Sequence, residues 1–67
     1  MELEFKTLWE VEFLLEDSLP HKELIIMKDE TDSWDNVKKV AIVLAEFFQW
    51  KKYKVSSIRE KGKVLTL

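Results

Sequence analysis

From Leu3 to Leu15 the chain alternates. Leu3, Phe5, Thr7, Trp9, Val11, Phe13 and Leu15 fall on one parity, and Glu2, Glu4, Lys6, Glu10, Glu12 and Glu16 on the other. Successive side chains of a strand point to opposite faces, so this spacing predicts a long strand with one apolar and one acidic face. At the 100° per residue of a helix the same residues would scatter around the whole circumference. Asp17, Ser18 and Pro20 then punctuate a turn. Residues 22–28, KELIIMK, read as a second strand, with Leu24 and Ile26 on one face and Ile25 and Met27 on the other. Both faces are apolar, so this strand is expected to be covered on both sides, one cover being a partner. The short connection favours an antiparallel hairpin.

Residues 29–33 form an acidic link in which Asp32 or Ser33 can cap the next element. From about 34 to 50 the period changes to that of a helix. Val37, Val40, Ala41, Leu44, Ala45, Phe47 and Phe48 make one broad stripe. Ile42 projects from the polar arc, and Asp35 and Lys51–Lys52 suit the two ends of the helix dipole. A third strand begins near Tyr53. Tyr53 and Val55 share a parity that Ile58 breaks, which predicts a bulge or bend. Lys61-Gly62 can turn, so residues 63–67 either form a short fourth strand or extend the third. The predicted fold is one α+β domain over residues 1–67 in the order β-β-α-β. One helix packs on a three- or four-stranded antiparallel sheet whose first strand is central.

Charge sharpens this picture. The 67 residues carry a net charge of −2, but residues 1–36 hold eleven acids against three lysines, and residues 37–67 hold eight bases against two acids. The arrangement predicts that the glutamates of the first strand face the bases of the third. A chain this short buries only about 60% of its unfolded surface, and with no cysteine it has neither a disulfide nor a thiolate metal site to help it. A dense core or a partner must supply the rest, and 46% hydrophobic residues suit both. The longest apolar run, residues 40–45, is far too short to span a membrane. A cytoplasmic protein is expected.

No convergent catalytic set is visible. His21, with Ser18 and Asp17 nearby in sequence, lies in a predicted turn, and proximity in a turn does not make a triad. Asp29, Glu30, Asp32 and Asp35 lack the alternate spacing and central glycine of a calcium loop, and helix capping explains them. Glu10 and Glu12, about 7 Å apart on one strand face, would need a cleft to act as a glycosidic pair. Trp50, Lys51, Lys52, Tyr53 and Lys54 interleave bases with aromatics and could stack on single-stranded nucleic acid. The acidic first half argues against that. The stronger lead is a protein-binding surface made of Glu4, Leu8, Glu10, Glu12, Leu14, Glu16 and Ile42, with Ile25 or Met27 on the outer face of the second strand. No cofactor or metal is implied.

The stretch 17–30, with Lys22-Glu23, an aliphatic run ending in Met27-Lys28-Asp29, and then Trp34, resembles the second-strand region of the Dmd-like small phage antitoxins. The Ala/Leu/Phe-striped helix and the Lys51-Lys52 step into a last strand extend the resemblance over about two-thirds of the chain. The longer first strand, the residues after Gly62 and the lack of cysteine depart from that pattern. The resemblance implies a helix on a three-stranded antiparallel sheet. It also implies a phage-encoded inhibitor that occupies the active region of a host toxin ribonuclease, in the host cytoplasm. The architecture is similar to that of other small phage inhibitors, which block repair glycosylases or defence nucleases. The expected function is therefore non-enzymatic occlusion of a host protein through an acidic strand face. The alternatives are a single-stranded nucleic-acid binder and a structural homodimer.

Overall fold

The computed structural model describes residues 3–16 and 18–66, with all their side chains except those of Asp29 and Thr66. Strand β1 (Glu4–Leu15) is followed by β2 (His21–Lys28), a single 3-10 turn (Asp29–Thr31), helix α1 (Trp34–Phe47) and β3 (Tyr53–Thr66). The strands form one antiparallel sheet in the order β2-β1-β3. This is the α+β domain, with central first strand, that the alternation predicts.

The helix lies on the odd face of β1. Val11 and Phe13 of β1, Ile25 and Met27 of β2, and Val37, Ala41 and Ala45 of α1 form the buried core. Ala41 and Ala45 carry only a methyl group, which lets the helix backbone approach the sheet. A 14-residue helix is about 21 Å long, whereas the 12 residues of β1 span about 40 Å. The helix therefore covers only part of the ribbon, and the molecule measures 45 × 19 × 18 Å. Phe5 and its β3 partner Leu65 share the helix-side face beyond the helix, 61% and 53% exposed, and Leu3 is exposed as well. The apolar parity of β1 is thus covered from Thr7 to Leu15 and left open at Leu3 and Phe5.

One polar cluster fastens the N-terminal end of the helix to the sheet. Thr7, fully buried, donates from Oγ1 to Asp32 Oδ2 at 2.6 Å, and Trp9 Nε1 donates to Oδ1 at 2.7 Å. Lys63 Nζ donates to Thr7 Oγ1 at 2.6 Å and lies 3.5 Å from Asp32 Oδ2. The Thr7 hydrogen bond leads the causes that hold the Asp32 carboxyl below its usual value, with Trp9 and the Lys63 charge acting in the same direction. Asp32 is thereby committed to the sheet, and Ser33 caps the helix instead, its Oγ accepting from Asn36 N at 3.2 Å.

The structure corrects four details. The helix stops at Phe47 rather than Trp50. Gln49 adopts φ 62°, and Gln49 N and Trp50 N donate to the carbonyls of Glu46 and Ala45 at 3.0 Å, the double bond of a Schellman turn. That turn swings Trp50 onto Phe13, ring centroids 5.0 Å apart, and leaves Phe47 75% exposed outside the core stripe. Among the described residues there is no fourth strand: β3 runs unbroken to Thr66, which is the extension of the third strand, and Lys61-Gly62 is a bulge, with Lys61 the extra residue between the partners of Leu8 and Trp9. The bulge signalled by Ile58 is real, with Ser56 the extra residue. Ile25 and Met27 face the helix, not the exterior, since they pair with Trp9 and Thr7. His21 opens β2 rather than lying in a turn, half-buried against Trp50 at 5.0 Å and Phe48 at 5.7 Å, with Nε2 2.6 Å from Glu23 Oε1. The expectations for Glu2, Asp17, Leu67 and the Asp29 side chain lie outside the described residues.

Candidate functional site

The even parity of β1 faces away from the helix, on a side of the sheet that no second layer covers. Register decides its neighbours. Leu8 stands between Ile26 and Gly62, and Glu10 between Leu24 and Arg59. Glu12 stands between Lys22 and Ser57 and accepts from Ser56 Oγ at 2.9 Å. Leu14 is opposite Lys54, and Glu16 lies 3.5 Å from Lys52. Glu4 continues the row at the far end, 3.9 Å from Lys6.

Three apolar side chains therefore adjoin at the centre: Leu8, half-buried, with Leu24 60% and Ile26 54% exposed. Gly62 completes the patch by omission. Its φ of +135° favours glycine, and its missing side chain leaves Leu8 unflanked on the β3 side. Leu14, 44% exposed, stands apart, about 20 Å along the strand from Leu8. The rim carries both signs, Glu10 and Glu12 among Arg59, Lys22 and Lys28. The expectation that the glutamates of β1 face the bases of β3 holds in register for Glu10, opposite Arg59, but not for Glu12 and Glu4, opposite Ser57 and Thr66, and the rim is mixed rather than a strip of acid.

Five of the seven residues proposed for a protein-binding face thus share one surface, Glu4, Leu8, Glu10, Glu12 and Leu14, while Glu16 lies past the end of β1 beside Lys52. Ile42 does not join them. It is 40% exposed on the helix, across the sheet from that face. Leu24 and Ile26 were missed, because KELIIMK is apolar on both parities and only the pairing with β1 tells which side is outward.

The residues considered for nucleic acid divide as well. Trp50 and Tyr53 pack against Phe13 in T-shaped contacts at 5.0 and 6.2 Å, and Trp50 also stacks on Phe48 at 4.9 Å, which occupies one of its faces. Lys51, Lys52 and Lys54 are exposed around a shallow groove of 490 Å³ floored by Leu14, Leu15 and Tyr53, and Lys52 is paired with Glu16. Among the described residues no group of three or more His, Asp or Glu is placed to hold a metal ion. No helix is long and apolar enough to cross a membrane.

No protein-family model, curated protein or solved structure matches this chain. Chemically, the open face offers an apolar centre with a charged rim, an arrangement suited to docking against another surface.

Proposed function

We propose that this chain is a non-enzymatic protein-binding module that covers part of its partner with the open face of its sheet. The observation that supports this is the set of Leu8, Leu24 and Ile26, adjoining and uncovered, inside a rim of Glu10, Glu12, Lys22 and Arg59. Complete burial of a Leu or Ile side chain contributes about 1.5–3 kcal/mol, so burying the remaining exposure of Leu24 and Ile26 contributes roughly 1–2 kcal/mol each. The rim supplies specificity and steering. The resemblance to Dmd-like antitoxins makes a host toxin ribonuclease or defence nuclease the candidate partner, and inhibition of that protein in the host cytoplasm the candidate activity.

The test is affinity capture from nuclease-treated host lysate, read by mass spectrometry, with the wild-type chain and with Glu10→Lys/Glu12→Lys. One stoichiometric protein retained by the wild type and lost by the variant supports the reading. Equal retention by a variant that folds normally removes the acidic rim from it. Capture that disappears with nuclease treatment transfers the function to nucleic acid.

A further inference from the structure

We propose that β2 is a docking edge for a second copy of this chain, the two β2 strands pairing antiparallel about a two-fold axis at Leu24. The sheet order leaves β2 and β3 at its edges. The β3 edge is defended: it carries two bulges and the bases Lys54, Arg59, Lys61 and Lys63. The β2 edge carries Lys22 and Lys28 but no bulge. Its residues from His21 to Lys28 pair one-for-one with β1 without a register shift, and neither Pro nor Gly occurs within it. The helix backbone lies nearer β3 than β2, and it covers the side chains of Ile25 and Met27 on one face of β2. Alternate residues of an edge strand direct their N–H and C=O groups outward, which makes an unbroken edge a template for another strand.

The side chains of β2 select the copy and the register. A two-fold axis at Glu23 would oppose two carboxylates, and one at Ile25 would oppose Lys22 with Lys28 twice. An axis at Ile26 avoids like charges but pairs only residues 24–28. An axis at Leu24 pairs residues 21–27, sets Leu24 against its own copy, Lys22 against Ile26 and Glu23 against Ile25, and opposes no like charges. The product is a six-stranded sheet with both helices on one side and both open faces on the other. Leu24, 60% exposed in the single chain, becomes the centre of the joint face.

The chain has no cysteine, so a single introduced one reports the register. Opposed residues of an antiparallel pair have Cα atoms about 4.5–5.5 Å apart, within disulfide reach. The two copies of residue 26 would lie about 13 Å apart along the strands. On mild oxidation Leu24→Cys is expected to give a species of twice the chain's 8.0 kDa, and Ile26→Cys is not. In sedimentation the wild type is expected to run as a dimer, and Leu24→Lys and Leu24→Glu each as a monomer with unchanged circular dichroism. Mixing the two variants is expected to restore a dimer through the opposed charges. A wild type that stays monomeric at the highest soluble concentration overturns the proposal. So does cross-linking of Ile26→Cys as fast as Leu24→Cys.

Discussion

Phe13→Ala removes the side chain on which the packed end of the molecule converges. Phe13 has no exposed surface, and its ring meets Trp50 at 5.0 Å and Tyr53 at 6.2 Å, both edge-on. Truncating a buried Phe costs about 3–5 kcal/mol, and each edge-on pair adds about 0.5–1.5 kcal/mol beyond area burial. The upper half of the first range is expected here, about 4–5 kcal/mol, because the Schellman turn and β1 hold Trp50 and Tyr53 where they cannot collapse into the space. A 67-residue domain has a total stability of about 3–10 kcal/mol, so the variant should lose from about half of that stability to all of it. Phe13→Leu keeps most of the volume and is expected to cost about 1–2 kcal/mol. Leu19→Ala, at an 86% exposed position, should stay within about 0.5 kcal/mol of wild type. Urea unfolding followed by tryptophan fluorescence and far-UV circular dichroism measures all three. A loss below about 2 kcal/mol for Phe13→Ala would refute the view that this aromatic cluster anchors the fold.

Asp32→Asn should loosen the helix N-terminus, because an amide cannot accept from both Thr7 and Trp9 as the carboxylate does; earlier amide exchange at the start of α1 is the readout. The Asp32 carboxyl is lowered in the folded chain, so its stabilising contribution is complete above the ordinary value of 3.8 and is lost as pH falls through the lowered one. Acid unfolding of the wild type should therefore show a step below that value which Asp32→Asn lacks. Gly62→Ala places a side chain at φ +135° and should destabilise by about 1–3 kcal/mol although nothing crowds the position; a neutral effect would show that the bulge relaxes. Gln49→Gly relieves a left-handed φ of 62° and should stabilise by up to about 1 kcal/mol in thermal unfolding, less the extra unfolded-state freedom of glycine.

The first strand was legible because thirteen residues alternate with one face apolar, and that pattern admits no helix. From it followed the central position of β1, the side on which the helix packs, and the glutamates on the open face. The bulge at Ser56 was legible because Ile58 changes parity. Three features were not legible, each for a physical reason. Both parities of KELIIMK are apolar, so its outward face is set by the pairs Trp9–Ile25 and Leu8–Ile26 rather than by its composition. The helix stop at Gln49 carries no Gly or Asn, the residues that usually accept a left-handed conformation, so the stripe appeared to run on through Phe47 and Phe48. Lys61-Gly62 suits a turn or a bulge equally well, and only the pairing of β3 with the full length of β1 selects the bulge. At the open face, the two apolar parities of β2 conceal Leu24 and Ile26 in the sequence, while Ile42 is exposed on the helix, across the sheet from them.

The most direct test of the open-face account is a titration of the captured partner with three proteins: the wild type, Leu8→Gln/Ile26→Gln, and Phe47→Gln. The first variant removes two of the three apolar side chains at the centre of the open face, and the second alters a more exposed apolar residue on the helix, 75% against 54% for Ile26. The expected result is a loss of about 2 kcal/mol, or about 30-fold in Kd, for the open-face variant, with native circular dichroism, and wild-type affinity for Phe47→Gln. Wild-type affinity for Leu8→Gln/Ile26→Gln together with a loss for Phe47→Gln would contradict it and move the binding surface to the helix.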